Sequence, residues 1–122
     1  MADLILRSIT YFHFTTLRVV GNLGLKQLLE GETQVVQSEE APVDLLYFED
    51  IGRVLPEITF SDFNLHNNSL IVIANTHKTR NNLKAWEALI ADPKITVSID
   101  LFWCGLLFVR KEQVKQHFSI RL

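Results

Sequence analysis

The chain has 122 residues, a formal net charge of −2 and 48% hydrophobic residues. This length suits one domain that removes roughly two-thirds of its unfolded surface from water. The apolar content excludes disorder, and the charge balance gives no electrostatic footprint for nucleic acid or an anionic membrane. The longest apolar run, "LFWCGLLFV" at Leu101–Val109, falls far short of the ~20 residues that span a bilayer. A single cysteine, Cys104, excludes a disulfide framework. The first residues lack the pattern of a secretory signal. A cytoplasmic location is therefore expected.

In chain order, "ADLILRSITYFH" at 2–13 places Leu4, Ile5, Ile9 and Phe12 near one helical face. Leu17–Val20 is a short apolar strand. Gly24–Glu30 follows as a helix, with Gly31 placed to cap it. Residues 31–42 are polar, and "ETQVV" within them is a candidate edge strand. Val43–Glu49, "VDLLYFE", is a near-continuous apolar run of strand length, the pattern of a strand covered on both faces. A helix is expected over 53–64, with Pro56 near its start. "NN" at 67–68 predicts a turn into a second buried strand, "SLIVIA" at Ser69–Ala74. Thr79 is placed to cap a helix over Arg80–Ala91 that ends before Pro93. Lys94–Asp100 and Leu106–Arg110 read as an antiparallel hairpin linked through Trp103, Cys104 and Gly105. His117–Leu122 is a candidate terminal strand. This alternation predicts an α/β sheet with mainly parallel strands in a single domain, 1–122.

Two blocks of the chain carry a family resemblance. "VDLLYFED" and the run from "SLIVIANTHKTRNN" through "IDLF" to "FVRKEQ" form the longer one, and "YFHFTTLRVVGNLGLKQLL" the shorter. They resemble the class I S-adenosylmethionine-dependent methyltransferases, and within them a bacterial O-methyltransferase-like subgroup. The resemblance implies a Rossmann-like three-layer sandwich. Residues 1–31 correspond to its first helix, first strand and glycine-rich loop, and 43–122 to its C-terminal half. The family's second and third strands have no counterpart between them. The family order 3-2-1-4-5-7-6 then reduces to 1-4-5-7-6, which is contiguous but leaves Leu17–Val20 as an edge. Such an edge tends to be covered, either by "ETQVV" or by a second subunit. An alternative alignment matches residues 2–31 to the elements around the family's third strand.

The resemblance also implies where a cofactor would sit, and here the chain departs from the pattern. Gly21, Asn22 and Gly24 correspond to the glycine-rich loop, and Glu49 to the acid that ends the fourth strand. Arg18 stands where the first strand ends in an acid, and Val20 where the loop has its first glycine. Ala74 and Asn75 stand where the subgroup carries paired acids, so no metal site is expected. His77 is the one candidate base. Cys104 reads as a packed hairpin residue, and Trp86 as core. The expectation is a methyltransferase-like protein without cofactor or catalysis. It would act through protein contacts as a dimer or with another protein, at Leu17–Val20 or at the C-terminal hairpin. The alternative is an S-adenosylmethionine-dependent O-methyltransferase that completes its site in an oligomer or with a partner. A product of gene decay is a third reading.

Overall fold

The structure is a computed structural model that describes residues 1–32, 36–37, 42–54 and 63–120. In chain order these form α1 (Ala2–Phe12), β1 (Thr16–Val20), α2 (Leu23–Glu32), β2 (Val36–Gln37), β3 (Val43–Phe48) and α3 (Ile51–Val54). There follow β4 (Leu65–Ala74), α4 (Arg80–Ala91), β5 (Val97–Asp100), β6 (Cys104–Phe108) and β7 (Gln116–Ser119). The chain is a mixed α/β fold built on one sheet, with strand order β2-β1-β3-β4-β6-β5-β7. β2, β1, β3 and β4 run parallel. β6 is antiparallel to both β4 and β5, and β7 runs parallel to β5.

The apolar runs sit where their composition places them. Leu45, Leu46, Tyr47 and Phe48 of β3 are buried, as is every residue of β4 from Ser69 to Ala74. Successive side chains of a strand leave on opposite faces, so this pair supplies two cores. On one face Leu45, Tyr47, Leu70 and Val72 pack with Ile5 and Ile9 of α1 and with Leu25 and Leu29 of α2. On the other, Leu46, Phe48, Ile71 and Ile73 pack with Ile51 of α3 and with Trp86 and Leu89 of α4. Phe12, expected on the buried face of α1, is half-exposed at its end, yet it stacks on Phe14 at 5.2 Å.

Thr79 is the N-cap of α4, its hydroxyl accepting a hydrogen bond from Asn82 N–H at 3.0 Å. Gly31, expected as a cap, lies inside α2, which runs on to Glu32; glycine in a last turn costs only about 1 kcal/mol. The helix expected over 53–64 meets α3 only at Arg53 and Val54. Phe63 and Asn64 are not helical, and 55–62 lie outside the described residues. Of "ETQVV", 33–35 also lie outside them. Val36 and Gln37 pair with Thr16 and Leu17, so a short β2 covers the start of the β1 edge, and among the described residues no strand pairs with Arg18–Val20 on that side.

Asn67 and Asn68, expected to turn the chain, lie within β4. The register there jumps from Val43↔Leu65 to Leu45↔Leu70, so the turn chemistry is spent on a bulge. Its geometry is pinned from outside. Ser69 Oγ accepts from His66 N–H at 2.9 Å and donates to Val43 C=O at 2.6 Å. His66 Nδ1 accepts from Asn68 N–H, so Nε2 carries the proton and donates to Asp44 at 2.6 Å. Asp44 Oδ2 accepts from the N–H groups of Thr15 and Thr16 at 2.6 and 3.1 Å. One carboxylate thus ties together the starts of β1, β3 and β4.

The hairpin turn falls at Leu101–Trp103, earlier than expected, and Cys104 and Gly105 are strand residues of β6. Gly105 is required for packing, not for turning: a Cβ there would overlap the Trp86 ring, which lies across the β6 backbone. No described helix is long and apolar enough to cross a membrane. Gly105→Ala is expected to cost roughly 1–3 kcal/mol by overpacking, against about 1 kcal/mol for Thr79→Ala. Urea unfolding, read at constant slope, checks both values and their order.

Candidate functional site

Carboxyl ends of parallel strands are where open α/β sheets present their loops to ligands. Here the ends of β1, β3 and β4 bring together three of the residues singled out from sequence: Gly21, Asn22 and Glu49. Gly21 has φ +91°, a left-handed value that favours glycine, and a Cβ there would lie 3.2 Å from Glu49 Cβ. The loop therefore rests directly on the end of β3. Val20 C=O accepts from Glu49 N–H at 3.0 Å, so the residue expected to open the loop is still part of the strand ladder. Asn22 Oδ1 accepts from Leu25 N–H at 2.9 Å, capping the first turn of α2. Its Nδ2 donates to Glu49 Oε2 at 3.1 Å. Gly24 falls in that first turn, where it makes no close approach to Glu49.

Tyr47 donates its hydroxyl to the same Glu49 oxygen. Burial, and then the bond to Glu49, push the Tyr47 hydroxyl above its ordinary value, so it stays protonated. Tyr47 was legible in principle, because residues two apart in a strand share a face. The next strand is tied in through backbone. Asn75, itself left-handed at φ 58°, donates from Nδ2 to Glu49 C=O at 3.2 Å. The buried Asn82 of α4 donates to Asn75 C=O at 3.0 Å and accepts from Gly52 N–H at 3.1 Å. Asn82 went unremarked in the sequence; its signal is a polar residue at the helical spacing of Trp86 and Leu89.

His77, the candidate base, is in a second constellation built on the β5–β6 turn. Its Nε2 lies 2.8 Å from Asp100 Oδ2, and its ring is stacked on Phe102 with centroids 4.6 Å apart. Phe102 is left-handed at φ 74°, a costly conformation for a bulky residue. Two bonds hold it there: its N–H donates to Asp100 Oδ1 at 2.7 Å, and its C=O accepts from the Thr76 hydroxyl at 3.2 Å. An imidazole with one nitrogen held by a carboxylate can take a proton on the other, which is the arrangement a general base requires. The pairing with Asp100 joins residues 23 apart, and no local pattern announces it.

The remaining candidates have other roles. Cys104 is fully buried, and burial pushes its thiol up to about 12, which leaves almost no thiolate to act as nucleophile. Asp50, the carboxylate next to Glu49 in the sequence, is turned to Arg53 at 3.1 Å. Among the described residues, no group of three or more His, Cys, Asp or Glu side chains could hold a metal ion. A cavity of about 860 Å³ lies at the other end of the sheet, lined by Phe63, Leu65, Pro93 and Val109 among others.

Asp44 and Asp100 are the two carboxyls whose burial and bonding matter for pH. Burial raises both, but hydrogen bonds outweigh it: from Thr15, His66 and Thr16 to Asp44, and from His77 and Phe102 to Asp100. Both carboxyls are therefore held below 3.8, their ordinary value. Their stabilisation is complete above that value and is lost as pH falls through the lower folded-state values. Thermal melting between pH 2 and 7 is expected to show Tm falling steeply below about pH 4. In the double variant Asp44→Asn, Asp100→Asn, Tm is lower at pH 6 and that acid limb flattens. Comparison of the chain with protein-family models, with curated proteins and with solved structures finds no match.

Proposed function

We propose that the chain is a shortened methyltransferase-like domain of the class I, Rossmann-like type, and that it acts through protein contacts without using S-adenosylmethionine. Support for the ancestry comes from the succession β1-β3-β4-β6-β5, which is the order 1-4-5-7-6 that the resemblance implies. The separation of the helices into two cores supports the three-layer arrangement.

The observation that carries the loss of cofactor use is the state of Glu49. The acid in the cofactor's place already accepts from Asn22 and Tyr47 of its own chain. The Gly21 backbone sits against its Cβ. A ligand donor there must displace bonds that the protein makes for itself, and each charge-assisted bond is worth about 1.5–3 kcal/mol. Arg18 adds to this. It stands where the resemblance places an acid, and its guanidinium packs over the Phe63 ring at 5.6 Å, so this position offers no carboxylate to a cofactor's ammonium group.

One observation favours the second reading, an O-methyltransferase completed by a partner. His77 and Asp100 keep the geometry of a base and its orienting carboxylate at the same end of the sheet. Calorimetric titration with S-adenosylmethionine and S-adenosylhomocysteine separates the two. No heat and no thermal shift are expected at millimolar ligand. Micromolar binding, which at ~100 Kd stabilises by ~2.7 kcal/mol, overturns the proposal and favours the second reading.

A further inference from the structure

We infer that the outer edge of β7 is a self-association surface, on which a second copy of this chain pairs antiparallel through its own β7. The inference deepens the protein-contact half of the function proposed above. It rests on the sheet geometry, and the cofactor titration tests the other half separately.

β7 is the last strand of the sheet and, among the described residues, pairs on one side only, with β5. Gln116 N–H donates to Thr96 C=O and Ile120 N–H to Asp100 C=O, both at 2.8 Å. Along a strand, successive backbone groups point to opposite sides. Residues 116, 118 and 120 therefore face β5, and the N–H and C=O of His117 and Ser119 point outward. Strands in parallel pairing are ordinarily buried on both faces. All four residues of β7 are instead exposed. Natural edges are blunted by proline, by inward charge or by a bulge, and Gln116–Ile120 holds neither a proline nor a charged residue.

The edge is complementary to itself. Two copies related by a two-fold axis at Ser119 exchange hydrogen bonds between their Ser119 residues. In this register Phe118 stands opposite Ile120 of the second copy, twice. These are non-hydrogen-bonded positions, where side chains approach most closely, and an aromatic facing a β-branched residue is a favourable cross-strand pair. Phe118 and Ile120 are each 45% exposed. Phe118 lies in register with Ile99, Leu106 and Val72, on the face that α1 and α2 cover further along the sheet. A foreign strand would need a matching apolar pattern of its own; a second copy brings it by symmetry.

Sedimentation velocity on the full chain across a concentration series tests this. A monomer–dimer equilibrium is expected. Ser119→Pro removes one outward N–H and leaves every bond to β5 in place, so it should weaken the dimer by about tenfold or more while circular dichroism, and Tm measured at dilutions where both chains are monomeric, stay unchanged. Phe118→Lys, an inward charge at the edge, should do the same and serves if the proline variant fails to fold. A monomer at all concentrations overturns the inference. So does a dimer that neither substitution weakens.

Discussion

Everything in this fold leans on the parallel pairing of β3 with β4. The central runs of both strands are buried, and both faces of the pair are spoken for. Residues 45, 47, 70 and 72 form the floor beneath α1 and α2, and residues 46, 48, 71 and 73 the floor beneath α3 and α4. Because side chains alternate, a slip of one residue would exchange the two floors. The register is fixed against that slip at the strand starts, where Asp44 accepts from Thr15, Thr16 and His66. A polar clasp at one end holds an apolar pair in register, and the opposite ends of the strands are left to position Glu49, Asn75 and His77.

That division explains the uneven legibility of the sequence. The buried strands were plain in "VDLLYFE" and "SLIVIA", because a strand covered on both faces needs an unbroken apolar run. The cap at Thr79 was plain because its partner lies three residues away. Both signals are local. Gly31 and Gly105 depart from expectation for different reasons. At Gly31 a side chain would meet open space, so the glycine neither caps nor packs; at Gly105 a neighbour forbids a side chain, which sequence alone does not show. At Gly105 the neighbour is Trp86, nineteen residues earlier and on another element.

The candidate site was legible by position but not by bonding. Gly21, Asn22 and Glu49 could be brought together from the family resemblance. What they do could not, because the outcome depends on Tyr47 and on the loop settling against β3. The same holds for His77, whose meaning changes once Asp100 and Phe102 are placed around it. Asn82 and Asn75 show the general pattern. Side-chain amides that bridge loop backbones take their value from groups distant in sequence, and no periodicity encodes them.

The position of β6 between β4 and β5 has a consequence for synthesis. β4, whose second half Leu70–Ala74 is an unbroken buried apolar run, ends at Ala74, but the strand that closes its outer side spans Cys104–Phe108. β5 is made first and cannot substitute, since it reaches the sheet only through β6. A ribosome must therefore add about thirty more residues before that edge can be sealed. Until β6 has followed β4 out of the ribosome, the nascent chain carries an unpaired apolar edge of the kind on which strands misassociate.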